Sequence, residues 1–134
     1  MKWLLAFLLG VALAGCGGPA TVARKTISGI DMVNAQAARL GRVVVKKCID
    51  DAVKAEARAK LDECEKTRDK IAKGIRISID ATDLAASGVD IAEAAQSKDF
   101  STVLGPALNA ARALAALLSD AGVKLPPLLM AVLK

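Results

Sequence analysis

The chain has no histidine and no tyrosine, and its 134 residues include one tryptophan and two phenylalanines. Each absence removes a class of function. Acyl transfer pairs a nucleophile with a base, most often histidine, and none is present. Zinc sites draw on cysteine and histidine together, so three cysteines alone make a poor ligand set. Trp3 and Phe7 lie in the first fifteen residues, which leaves Phe100 as the one aromatic ring in the rest of the chain. Base stacking and sugar platforms need such rings, so neither a nucleic-acid reader nor a carbohydrate cleft is expected. No C-x-x-C or G-x-x-x-x-G-K spacing occurs, so redox and phosphate-cradling motifs are missing. The carboxylate pairs Asp50-Asp51 and Asp62-Glu63 stand among lysines and arginines and read as solvated helix surface, not as acid–base pairs. Asp80, Asp83, Asp90 and Glu93 fall at helical spacings, but carboxylates on a regular helix fan out instead of converging on a cation. With no assembled catalytic group, no cofactor and no metal are assigned, and a non-enzymatic role is expected.

What is present begins with MKWLLAFLLGVALAGC. One basic residue, Lys2, precedes an apolar run from Trp3 to Leu13, followed by small residues. That layout is a secretory leader. The apolar run is too short for a membrane crossing, which needs about 20 residues. The tetrad Leu13-Ala14-Gly15-Cys16 resembles the lipobox of bacterial lipoproteins at all four positions. The resemblance covers the leader alone. It implies a diacylglyceryl thioether on Cys16, cleavage between Gly15 and Cys16, and acylation of the new amino terminus. By resemblance to lipoproteins of double-membrane bacteria, Gly17 is compatible with passage to the outer membrane, facing the periplasm, because the inner-membrane retention signal usually has Asp there. An ordinary signal peptide with an incidental cysteine is the plainer alternative.

Charge is uneven along the chain. From Arg24 to Arg76 there are fourteen Lys or Arg against eight Asp or Glu; from Ile77 to Lys134 there are four against six. A basic half on an exported protein suits anionic lipid or an acidic envelope partner. Arg39, Arg42, Lys46 and Lys47 are the candidate contact face. Solvated helix faces with i,i+4 ion pairs explain the same charges equally well.

Helical periodicity dominates after the leader. Ile30, Val33, Ala37, Leu40, Val44 and Cys48 recur at steps of three and four. A second segment is expected to start near Asp62, with Glu65 as its capping-box partner, and carries Cys64, Ile71, Ile75, Ile79, Thr82, Ala86 and Val89 on one stripe. Two stretches compete as strands: three valines between Arg42 and Lys46, and the alternating isoleucines of GIRISID. Helix is preferred for both, since isolated strands inside long helical patterns are rare. A third helix is expected from Pro106, as a first-turn proline, to a left-handed cap at Gly122. Between Pro106 and Leu118 its only polar residues are Asn109 and Arg112, which suits a central helix or half of an interface. Pro126-Pro127 then opens a short apolar tail, read either as a lid on the core or as a partner or membrane contact.

Cys48 and Cys64 remain once Cys16 is lipidated, and in an oxidising compartment an even pair is most simply a disulfide. Two buried free thiols are the alternative. On one continuous helix the pair would stand about 24 Å apart, whereas a disulfide needs Cα atoms within roughly 7 Å. A bond therefore requires a reversal between them, placed just before Asp62 or made by an extra short helix.

The expected architecture is all-α: a small bundle of three to four helices, a long hairpin plus C-terminal helices, tethered to a membrane. Residues 1–15 form the removed leader, 16–25 the lipidated cysteine and tether, and 26–134 one helical domain. The expected partners are the membrane, through the lipid on Cys16, and an unidentified envelope protein, with no nucleic acid. Self-association through the 106–121 helix is a further option. A membrane-perturbing or lysis-associated lipoprotein, acting through the third helix and the leucine-rich tail, is the alternative function.

Overall fold

The computed structural model describes residues 18–134. Leu13, Ala14, Gly15 and Cys16, on which the lipobox reading falls, lie outside the described residues. Four helices follow one another: α1 (Pro19–Lys54), α2 (Arg58–Ala94), α3 (Ser101–Asp120) and α4 (Pro127–Val132). No strand occurs among the described residues. Both stretches that compete as strands are helical. The helix-propensity penalty of β-branched residues is a few tenths of a kcal/mol each, less than is recovered by Val45, buried in the core, and Ile75, packed against it.

α1 starts earlier than its first obvious apolar stripe. Pro19 occupies the first turn, where its missing N–H costs nothing and its fixed φ suits the helix. The stripe then runs Ala23, Ile27, Ile30, Val33, Ala37, Gly41 and Val45, all buried. Most of the segment expected as tether is therefore helical, and Ala23 within it is part of the core.

The reversal lies at Ala55 to Ala57, earlier than the position just before Asp62. Ala57 N–H donates to Ala52 O and Glu56 N–H donates to Val53 O, which is the Schellman pattern. Glu56 sits at the left-handed position, φ 51°, where glycine is the usual occupant. α2 begins at Arg58, so Asp62 and Glu65 are inside the helix and make no capping box. The same motif ends α2, with Gln96 at φ 58°, and ends α3, with Gly122 at φ 84°. Gly122 is the cap expected there.

α1 and α2 form an antiparallel hairpin whose register is fixed by pairs along its length. Arg24 pairs with Asp90 and Glu93 at the open end. Near the middle, Ser78 Oγ donates to Asn34 Oδ1 at 2.6 Å, and Asn34 Nδ2 donates to Thr82 Oγ1 at 3.4 Å. Gly41 lies against Ile71. At the turn end, Cys48 and Cys64 form a disulfide with their Cα atoms 5.8 Å apart.

α3 lies in one groove of this hairpin and packs against both helices. Close approach is permitted by glycine: a Cβ on Gly74 would stand 2.8 Å from a Leu117 methyl, and one on Gly88 2.6 Å from a Val103 methyl. Ala107, Ala111, Leu114 and Leu118 are buried. α3 starts at Ser101, so Pro106 is an interior residue and not the first turn. Gly105 before it lacks the Cβ that would clash with the proline ring. The start is secured by Asp99, whose carboxylate accepts from the Ser101 N–H and hydroxyl. By length and composition α3 would also suit a membrane crossing; here it is the third helix of the bundle.

The tail is a lid. Leu125, Leu129 and Leu133 are buried, and Arg112 donates to the carbonyls of Leu133 and Lys134. α4 thereby closes over α1, with Val132 packed on Gly29.

Candidate functional site

Covering one groove of a two-helix hairpin leaves the other open. Along the uncovered α1–α2 seam lie Ala38, Gly41, Val45 and Ile49 from α1, and Ile71, Ala72 and Ile75 from α2. Small residues at Ala38, Gly41 and Ala72 keep the floor low between the larger aliphatic side chains. The result is a groove of about 350 Å³ with an apolar floor. It continues past Ile75 to Ile79, which is 42% exposed although it is a large apolar side chain.

Cations rim this floor. Arg42 and Lys46 stand on the α1 side, and Arg68 and Arg76 on the α2 side, with Asp50 as the one carboxylate among the lining residues. Of the four residues expected to form a basic contact face, Arg42 and Lys46 line the groove. Arg39 and Lys47 are exposed on α1 and are not among its lining residues. Arg68 and Arg76 complete the rim and were not visible as members of it in the sequence, because they come from the other helix. The signal that finds them is the antiparallel register, once the Cys48–Cys64 pairing is taken as fixed.

Charge reverses towards the open end of the hairpin. Asp31 stands seven residues before Ala38, and Asp83 and Asp90 stand seven and fourteen after Arg76, so each falls on the same side of its helix as the seam. Asp90 and Glu93 accept from Arg24 across the helix pair. The Arg24 hydrogen bond holds the Glu93 carboxyl below its ordinary value, and its bonds to Glu93 and then Asp90 push the Arg24 guanidinium above its own. Hydrogen bonds from the Ser101 hydroxyl, and then from its N–H, lower Asp99 in the same way.

Among the described residues, no group of three or more His, Cys, Asp or Glu side chains could hold a metal ion. Asp50, Asp51, Asp62 and Glu63 are exposed. The 106–121 helix, expected as either a central helix of the bundle or half of an interface, turns its apolar stripe into the bundle. Its outward residues include Ala113 and Ala116. Among the described residues, buried polarity is confined to Asn34, Ser78 and Thr82, which satisfy one another inside the core. Asn34 and Ser78 were not read as core from the sequence, because their polarity masks their place on the buried stripes. No family model matches the chain, and neither a curated protein nor a solved structure shows significant similarity to it. The open seam is the surface on which a functional reading can rest.

Proposed function

We propose that this chain is a lipid-anchored, non-enzymatic helical module of the bacterial envelope that docks another envelope component along the open α1–α2 seam. The leader supports the anchor, through the resemblance of Leu13-Ala14-Gly15-Cys16 to a lipobox. Gly17 after the cysteine favours the outer membrane, facing the periplasm. From Cys16 to Pro19 is three residues, a reach of about 10 Å, so the bundle would be held against the membrane surface.

The observation that carries the docking reading is the basic-rimmed apolar groove that neither α3 nor α4 covers. Contiguous apolar surface bordered by charge is what a recognition face presents before its partner arrives. Two arginines and a lysine beside one carboxylate favour an acidic counterpart. The tail, by contrast, has Leu125, Leu129 and Leu133 in the core.

Crosslinking in the native envelope tests this. One dominant adduct is expected, lost on Arg42→Glu with Lys46→Glu and retained on Arg39→Glu with Lys47→Glu. An adduct that survives the first pair, or falls equally with both, would overturn the seam as the docking surface.

A further inference from the structure

The seam is basic towards the disulfide and acidic towards the open end of the hairpin, and this polarity restricts what can cover it. A uniformly acidic helix or an anionic lipid surface would match Arg42, Lys46, Arg68 and Arg76 but meet repulsion at Asp31, Asp83 and Asp90. A uniformly basic partner would fail at the other half. The matching surface must reverse its charge along its length in the opposite sense.

This chain carries such a surface. On α2, Arg76 stands three residues before Ile79 and Asp83 four after it, while Arg68 and Asp90 stand eleven before and eleven after. On α1, the hydrogen bond to Ser78 holds Asn34 level with this stretch, but Asp31 stands three residues before it and Arg42 eight after, so α1 does not repeat the pattern. On α2, charges of opposite sign are thus arranged about one point, and at that point a large apolar side chain is exposed. We propose that a second copy of this chain covers the open seam, turned end for end about a two-fold axis beside Ile79. This rests on reading the seam as a docking surface, and names its occupant.

In that arrangement α1 lies over α1 and α2 over α2, antiparallel, and the interface is isologous: Arg76 meets Asp83 of the other copy, and Arg68 meets Asp90. Ile79 packs on its own counterpart. The ion pairs now made within one chain, Arg68–Asp69 and Arg24–Asp90, are at the surface, with side chains 47–72% exposed, so exchanging them costs little. A hairpin face of 36-residue helices is about 54 Å by about 20 Å, or about 1,000 Å². That is sufficient for a specific interface, which takes about 800 Å² per partner. The Pro19 ends fall at opposite ends of the pair, so two anchored copies share one membrane by lying along it.

The test uses the full chain purified in detergent. Sedimentation equilibrium should give a dimer. Arg76→Glu alone and Asp83→Arg alone should each weaken it by about tenfold or more, because each sets like charges face to face. Combining the two substitutions restores opposite charges and should restore the dimer. Under oxidation, Ile79→Cys should link two chains on a non-reducing gel. Leu84→Cys, on the outer face of α2 and 74% exposed, should give no more adduct than the parent chain. A monomeric parent, a combined variant that stays monomeric, or equal linkage through Leu84→Cys would overturn self-docking. An envelope adduct that still depends on Arg42 and Lys46 in a monomeric chain would likewise overturn it, while leaving the seam as a docking surface for something else.

Discussion

Removing the Cys48–Cys64 bond should loosen this protein from one end. α3 ends beside Thr67 and Lys70, so the last turns of the hairpin, with the disulfide, project beyond the third helix. There the two helices have little but each other: Ala52 and Cys64 are the fully buried apolar side chains between Val45 and Ile71. The bond closes a loop with a sequence separation of 16, which restricts the unfolded chain by about 3 kcal/mol in the chain-entropy description. For a domain of this size that corresponds to a fall in Tm of about 12 °C. Cys48→Ala with Cys64→Ala, compared with the oxidised parent, should show that loss in urea melts followed by circular dichroism. Hydrogen exchange should show where it arises. Amides from about 46 to 66 should lose protection first, whereas those around Ile30, Val33, Val89 and Leu114 should follow global unfolding. A loss under about 1 kcal/mol with unchanged protection at the hairpin tip would refute the view that the disulfide replaces the missing third helix there.

Three further expectations concern the bundle itself. Asn34→Ala should cost about 2–3 kcal/mol in urea melts, since it leaves the buried Ser78 hydroxyl without its acceptor, and adding Ser78→Ala should cost less than the two losses summed. Glu56→Gly and Gln96→Gly should each stabilise by about 1 kcal/mol, because a non-glycine residue is held at positive φ at both helix ends; a loss at either would contradict the strain assigned there. The depressed carboxyls of Glu93 and Asp99 stabilise the fold above their unfolded values of about 4.3 and about 3.9, and that contribution disappears as the pH falls through their lower folded values. Glu93→Gln and Asp99→Asn should therefore lower Tm at pH 7 and leave it close to the parent's at pH 2.

The helices were legible because their buried stripes repeat at three and four, and the pairing of Cys48 with Cys64 forced the reversal that makes them a hairpin. The boundaries were not. Asp62 and Glu65 have the right residue types for a cap, but the chain turns at Ala55–Ala57, where nothing in the composition marks a left-handed residue. Pro106 has the residue type of a helix start, yet Asp99 caps the helix earlier and Gly105 lets the proline ride inside it. Half of the groove rim was readable from α1, at Arg42 and Lys46. The other half depended on register, and the open side of the hairpin depended on where α3 settles. That choice follows from the glycines at 74 and 88, which take part in no hydrophobic pattern.

The most direct single measurement is the intact mass of the protein extracted from membranes. A lipid-anchored module begins at Cys16 and carries the added mass of a thioether-linked diacylglycerol and an amino-terminal acyl chain. A chain that retains residues 1–15, or that begins elsewhere with Cys16 unmodified, would contradict the anchor and with it the placement of the open seam beside a membrane.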